Sequence, residues 1–462
     1  MSPANHQAAI RLSDVVSALS IALDLTEGQP MGHSIRSCII GMRIAEELQL
    51  PDYDRRDLYY ALLLKDSGCS SNAARMHQIM GSDDLQSKSE VKFEDWTKPS
   101  LSGLRYLNRN VMPGAPFWRR AMRMLKLGLE QKRNNAELIG ARCERGAEIA
   151  RKIGLSENAA QAIHALDEHW NGGGYSEGRK GKDIPQLARI MNVSQTMEVF
   201  AFRSGPAEAV KVISDRSGRW FDPEIVRVAR SLGYDQALWE RLRASNAREF
   251  VLQMEPGVAV PASAERIDSL CEAFAQVIDA KSSYTFQHSV GVTDAAVDIA
   301  EGMALAPSMI TMVRRAALLH DIGKLSVSNA ILEKPGKLTD AEWKIMKMHP
   351  VYTRMILEKI SGFEHLAFVA GAHHERLDGK GYPDGLSASQ MTLPARIVAV
   401  ADVFQALSEK RPYRDSLPTE VVMRMMETDV PHRLDAECVT VLKAKKALAG
   451  ALPQRRAQSA HA

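Results

Sequence analysis

The sequence predicts an all-α protein built as tandem copies of one helical domain, the second copy carrying the chemistry. Three observations predict it: apolar residues recur at three- and four-residue steps, alternating apolar–polar runs are scarce, and the chain repeats itself at matched intervals. The helical period is plain in Ile267, Leu270, Cys271, Phe274, Val277 and Ile278, which share one face of an amphipathic helix. One helix start is well marked. Thr339-Asp340-Ala341-Glu342 fits a capping box, with Leu338 and Trp343 placed for a hydrophobic staple. That helix is expected to run to about His349 and to end before Pro350.

The repeat is a matter of intervals. His33 to Asp66 and His288 to Asp321 are both 33 positions, as are Arg142 to Tyr175 and His349 to Tyr382. Tyr175 to Gln195 and Tyr382 to Asp402 are both 20. Gly172-Gly173-Gly174-Tyr175 stands opposite Gly379-Lys380-Gly381-Tyr382. Only the middle gap differs, 76 from Asp66 to Arg142 against 28 from Asp321 to His349, so the first copy carries 48 extra residues. The expected domains are a first copy over 1–250 with its insertion at about 70–130, a Pro/Gly-interrupted linker over 251–263, and a second copy over 264–445. An Ala-rich basic tail over 446–462 is expected to be disordered.

Composition excludes more than it selects. The 462 residues suffice for two or three domains, and 45% apolar with 25% charged residues is usual for a soluble globular chain. A net charge of +3 gives no footprint for a nucleic-acid polymer. Five scattered cysteines without a C-x-x-C pair argue against a disulfide framework or a zinc ribbon, and for reduced thiols. No secretory pattern and no uncharged apolar run of about 18 residues occurs, so the expectation is a cytoplasmic protein without a transmembrane segment.

The second copy concentrates metal-binding side chains: His288, His320, Asp321, His349, His373, His374 and Asp402. Such mixed nitrogen and oxygen donors suit iron, manganese or zinc better than calcium or magnesium. His320-Asp321 closes the apolar helical run Ala316-Ala317-Leu318-Leu319. Adjacent helix residues point about 100° apart, so both reach one site only if each serves a different metal or the Asp bridges. Two neighbouring ions can share a hydroxide and clamp the attacking and leaving oxygens of a phosphate. Lys324, a turn later, would neutralise charge on that phosphate.

The segments His320-Asp321-Ile322-Gly323-Lys324, His373-His374-Glu375-Arg376-Leu377-Asp378-Gly379-Lys380-Gly381-Tyr382-Pro383 and Ala401-Asp402-Val403-Phe404-Gln405-Ala406-Leu407, continued by Arg411-Pro412-Tyr413-Arg414, resemble the HD-GYP phosphodiesterases over about residues 264–440. The resemblance implies an all-helical fold, a metal site and hydrolysis of cyclic di-GMP to pGpG or GMP. It implies that the seven residues above are metal ligands with Asp321 bridging, that Lys324 touches the scissile phosphate, and that Arg411 and Arg414 hold substrate phosphates. Asp378, Gly379, Gly381, Tyr382 and Pro383 would shape the pocket rim. Three positions depart from the family pattern. Tyr284 stands where members with a third metal carry Glu, which implies two divalent ions; the expected metals are iron or manganese. Thr353 replaces a usual Gly, and Gln405 a common Asp.

The first copy keeps only His33 and Asp66 at ligand positions. Lys65, Arg142, Leu166, Asp167 and Gln195 replace the others, so a metal is electrostatically disfavoured. The expectation is that Lys65 and Arg142 pair with Asp66 and Asp167; the alternative is that these two cations bind a phosphate. In the insertion, Trp118 to Lys126 is a basic amphipathic run, read as an ordinary helix with one solvated face rather than a membrane or partner surface. The leading function is a cyclic di-GMP phosphodiesterase with a regulatory first copy. The alternatives are a phosphodiesterase for another cyclic dinucleotide such as cyclic GMP-AMP, or a non-catalytic adaptor binding cyclic di-GMP or a GGDEF-type protein. The first copy also allows a homodimer.

Overall fold

The computed structural model describes residues 10–98, 100–175, 177–282, 287–410 and 415–459; Tyr284, Arg411 and Arg414 lie outside them. All regular structure among the described residues is helical, with no β-strand and only isolated bridges such as that between Asp378 and Ser387. The chain divides into two compact units, Met1–Ala273 with Ser328–Ala330, and Phe274–Val327 with Ile331–Ala462.

The division falls inside the helix Ala264–Asp279, not in the expected linker. Val251 to Gln253 end the helix Ala247–Gln253, and the following segment is packed into the first unit. Leu12 N donates to Val260 O and Ala262 N to Ile10 O, while the Glu255 carboxylate accepts from Ser13 and Tyr60. Pro and Gly break the helix there, yet the freed polar groups find partners, so the segment is not a loose tether.

The sequence repeat returns helix by helix. His33–Glu47 and His288–Gly302 are both 15 residues, Asp52–Leu64 and Pro307–Leu319 both 13, and Glu157–His164 and Glu364–Gly371 both 8. Gln186–Ser204 carries Gln195, and Leu393–Ser408 carries Asp402. In each unit the His-initiated helix packs along the helix bearing the last position of the set, and against the helix that delivers the Lys65 or His320 position. Ile39, Ile40 and Ile44 in the first unit and Val292, Ala295 and Ile299 in the second are fully buried in these seams. Each large aliphatic among them contributes ~1.5–3 kcal/mol of hydrophobic stabilisation.

Two glycines fix how the third position meets the pair. A methyl group at Gly323 would lie 1.9 Å from the His349 carbonyl oxygen, and one at Gly68 would lie 1.9 Å from that of Arg142. Only a residue without Cβ lets the turn after His320-Asp321, or after Lys65-Asp66, rest on the next helix.

The capping box at Thr339 and Glu342 forms, but its helix is Asp340–Met346, shorter than expected. Pro350 does not end it; it sits in the first turn of a new helix, His349–Leu357, where its missing N–H costs nothing. The helix Ala436–Ser459 continues through most of the segment expected as disordered, since Ala, Leu, Lys, Gln and Arg are strong helix formers whatever their low complexity.

The insertion is a folded subdomain. Ala73–Met80, Asp84–Val91, Leu101–Asn110 and the start of the 36-residue helix Phe117–Lys152 close around Ile79, Met80, Val111 and Leu138. Arg120 and Arg123 turn inward to cap carbonyls of Asn108 and Val111 and of Gln78 and Ile79. Phe117, Trp118, Met122, Leu125 and Leu129 are exposed beside Arg119 and Lys126, so the solvated face carries apolar as well as charged side chains. No disulfide forms among the described residues, and all five cysteines are buried. No helix among the described residues is long and apolar enough to cross a membrane.

Candidate metal centre and cleft

The structure brings all seven expected ligand residues of the second copy together. Asp321 stands in the middle. Its Oδ1 lies 3.4 Å from His349 Nε2 and 3.6 Å from His373 Nε2, and its Oδ2 lies 3.2 Å from His320 Nε2 and 3.7 Å from His288 Nε2. Asp402 spans the same divide, with Oδ1 at 3.4 Å from His288 Nε2 and Oδ2 at 3.7 Å from His374 Nδ1. The donor atoms form two clusters, His288 with His320 and Asp321, and His349 with His373 and His374.

The imidazoles are oriented from behind. His320, His349 and His373 each place Nδ1 2.7 Å from the carbonyl oxygen three residues earlier (Ala317, Met346 and Ala370), which assigns the proton to Nδ1 and turns the Nε2 lone pair inward. His288 does so through a carboxylate: Nδ1 is 3.0 Å from Glu409, whose other oxygen accepts from Gln405 Nε2 at 2.7 Å. Gln405 thus holds the residue that holds a ligand. Thr353 has a comparable task, for its hydroxyl donates to His320 O at 2.8 Å and accepts from Gly323 N at 3.1 Å.

A cation fits this set. His288 Nε2, His320 Nε2 and Asp321 Oδ1 are buried and take no hydrogen bond, an arrangement that costs several kcal/mol unless a cation meets it. Burial drives His349 down to about 3 and His373 to about 4, and holds His374 well below the ordinary imidazole range, so these rings are neutral, the form that binds metal. Burial would raise Asp321, but the neighbouring His320 and Lys324 keep its carboxylate charged. Burial likewise opposes charge on His288, yet the neighbouring carboxylates of Asp402 and Glu409 raise it to about 9. That proton marks negative charge a divalent ion would otherwise neutralise.

Lys324 Nζ lies 2.5 Å from Asp321 Oδ2 and lines a cavity of about 1190 Å³ with His349, His374, Tyr382 and Asp402. Of the five expected rim residues only Tyr382 lines it. Asp378 is bonded to Arg376 and the Lys380 N–H instead, and with Gly379, Gly381 and Pro383 forms the loop behind. That loop is held by Glu375, which accepts from the N–H groups of Asp384, Gly385 and Leu386.

Sequence reasoning missed Glu375, Glu409 and Asp279. Asp279 accepts from Ser289 and anchors the start of the His288 helix, as Asp24 does from Ser34 for the His33 helix. The signal was present: each acid stands nine positions before its histidine. Glu375 has a counterpart too, in Glu168, which accepts from Glu177 and Gly178.

In the first copy both expected ion pairs form, Lys65 with Asp66 and Arg142 with Asp167. Lys65 Nζ also donates to His33 Nε2 at 2.9 Å, and the opposite ring nitrogen is bonded to Glu198. Glu27, Asp66 and Cys69 cluster closely enough to hold an ion, but Lys92 lies 3.0 Å and Lys88 3.7 Å from Glu27. Cations already fill the place of one. The cavity here is about 170 Å³, narrowed by Trp96, which stacks on Tyr175 at 4.7 Å.

An all-helical unit with two histidine clusters meeting at Asp321 beside a lysine-lined cavity has the architecture of a metal-dependent phosphohydrolase. A family model described as an HD domain matches residues 124–225 and 272–438, and the chain belongs to that family, in its HD-GYP branch with a degenerate first copy. It is 42% identical over 451 residues to the 3'3'-cGAMP-specific phosphodiesterase 3 of Vibrio cholerae serotype O1, covering 97% of both chains. A crystal structure of the cyclic GMP-AMP specific phosphodiesterase V-cGAP3 from V. cholerae superposes with a TM-score of 0.66 at 38% identity, covering 96% of this chain and 99% of that one. The cyclic di-GMP phosphodiesterase response regulator RpfG of Xanthomonas campestris pv. campestris is 40% identical over 149 residues, 31% of this chain and 39% of its own.

Proposed function

We propose that the chain is a metal-dependent cyclic dinucleotide phosphodiesterase whose preferred substrate is 3'3'-cGAMP rather than cyclic di-GMP. The observation that carries the chemistry is Asp321: its two oxygens face two separate histidine clusters, and its Oδ2 lies beside Lys324, a residue lining the cavity with His349, His374 and Asp402. His288, His320, Asp321, His349, His373, His374 and Asp402 would hold two divalent ions, which we read as iron or manganese although the donor types also suit zinc. When bound, such ions polarise a phosphate and lower the pKa of water to near neutrality. The chain's own part is to aim the donor atoms through Ala317, Met346, Ala370 and Glu409, and to place the Lys324 ammonium beside the phosphate. Tyr382 walls the site. Residues 264–445 are the catalytic domain and 1–250 a copy that has exchanged metals for ion pairs.

The substrate ranking changes from the one read in sequence. The resemblance there lay in the catalytic half, and relatives named for cyclic di-GMP match over about a third of this chain. One relative named for 3'3'-cGAMP matches over 97% of this chain, and two others so named match over 49% and 36% of it.

The test is a side-by-side assay of purified, manganese- or iron-loaded protein on the two cyclic dinucleotides, with products separated by chromatography. Linear dinucleotide from 3'3'-cGAMP at the higher kcat/KM, lost on chelation, is expected. Faster turnover of cyclic di-GMP would reverse the ranking, and no turnover by metal-loaded protein would end the enzyme reading.

A further inference from the structure

We infer that Trp343 is a nucleobase platform: one base of the cyclic dinucleotide stacks on its indole while the scissile phosphate lies over Asp321 and Lys324. The inference rests on the function proposed above. Trp343 is 43% exposed and lines the same cavity as Lys324, His374 and Asp402, so part of its indole faces the space a ligand would fill. No hydrogen bond of its ring N–H is made among the described residues, so the side chain serves neither as core nor as a polar anchor.

Its position is prepared. The Tyr382 ring lies at 4.8 Å and 34° from His374, and the Trp343 ring at 6.1 Å and 72° from Tyr382. Aromatic surface therefore runs unbroken from a candidate metal ligand to the cleft wall. Lys347 Nζ lies 5.7 Å from the Trp343 ring centre and 5.5 Å from that of Tyr382, which ties the two rings together by cation–π attraction. The backbone beneath is held by the capping box and by Trp343 N donating to Thr339 O at 2.8 Å. A cavity of about 1190 Å³ has room for a whole cyclic dinucleotide, and each base brings an apolar face that gains by leaving water for an aromatic surface. Stacking accepts purine faces generally, so Trp343 supplies affinity for a base and leaves the choice between guanine and adenine to other groups.

The test compares Trp343→Ala and Trp343→Phe with the parent in the full metal-loaded chain, by steady-state kinetics on 3'3'-cGAMP and by calorimetric Kd for the same nucleotide with the metal-free chain. The Ala variant should raise KM and Kd together by roughly 5- to 100-fold, with kcat and metal content unchanged, and Phe should restore most of the loss. KM and Kd within twofold of the parent in a folded Ala variant would overturn the platform, as would a fall in kcat at constant KM. If the parent binds the nucleotide without hydrolysing it and the Ala variant weakens that binding, the enzyme reading fails and the platform stands.

Discussion

The two copies start from the same helices and end with opposite electrostatics. Around Asp321 and Asp402 one ammonium, Lys324, faces three carboxylates, the third being Glu409, and neutral imidazoles turn their lone pairs inward. Around Asp66 four cations, Lys65, Lys88, Lys92 and Arg142, face the three carboxylates Glu27, Asp66 and Asp167. The arrangement around Asp321 and Asp402 leaves donor atoms that could hold a mobile ion; the arrangement around Asp66 carries its positive charge covalently. The insertion does much of this, since Lys88, Lys92 and Trp96 all come from it and fill a cleft that in the second copy is open. A helical scaffold that holds its central carboxylate by geometry can therefore keep that carboxylate after the chemistry has gone, provided some cation stays beside it.

The sharpest way to break this comparison is to remove the same position from both copies. Asp321→Ala should lower phosphodiesterase turnover by at least about 1000-fold, because the bridging carboxylate goes while little core is lost. Its circular dichroism spectrum should remain that of the parent. Asp66→Ala should do the reverse, lowering stability by ~3–5 kcal/mol in denaturant melts, because the buried Lys65 loses its counter-charge. Retained turnover in Asp321→Ala sinks the metal assignment, and an unchanged melt of Asp66→Ala sinks the ion-pair account.

How much of this was legible beforehand follows the same division. The seven candidate ligands, Lys324 and the two replacement ion pairs could be read because each is a fixed interval from a counterpart or part of a dense His/Asp pattern. Glu409 and Glu375 could not, because they act on backbone or on a ligand's far nitrogen, and an isolated Glu carries no pattern until the loop is folded. The role of the insertion was hidden for another reason. Its amphipathic run was read by assuming that charge faces water, whereas Arg120 and Arg123 meet helix-end carbonyls that exist only in the tertiary structure. Asp24 and Asp279 were within reach of the repeat argument, had it been extended upstream of the first histidine.

Those two acids sharpen the comparison at the level of folding. Burial raises Asp24 to about 7 and Asp279 to about 6, both above the ordinary 3.8. A carboxyl raised in the folded state stabilises fully below its unfolded pKa and loses that contribution as pH rises through the folded value. The Asp24 window is thus about pH 4 to 7. Relative to Asp24→Asn, whose amide does not titrate, the parent should lose stability across that window, by roughly 1–4 kcal/mol for a shift of this size. Paired urea melts at pH 5 and pH 8 measure it; a difference that does not change with pH would mean Asp24 titrates normally.

The smallest expected effect separates the copies at their first histidine. In the first copy His33 is bonded directly to Glu198, which Arg36 also grips at 2.7 Å. In the second, Gln405 occupies the position equivalent to Glu198, and the carboxylate has moved one turn on, to Glu409. Gln405→Ala should therefore leave every candidate ligand in place but free Glu409 to turn from His288, weakening metal binding by about 10-fold, the lower end for a residue behind a ligand. Activity titrated against manganese should shift to higher metal with the same plateau. A lowered plateau at saturating metal would show instead that Gln405 acts on the substrate, and the relay through Glu409 would have to be abandoned.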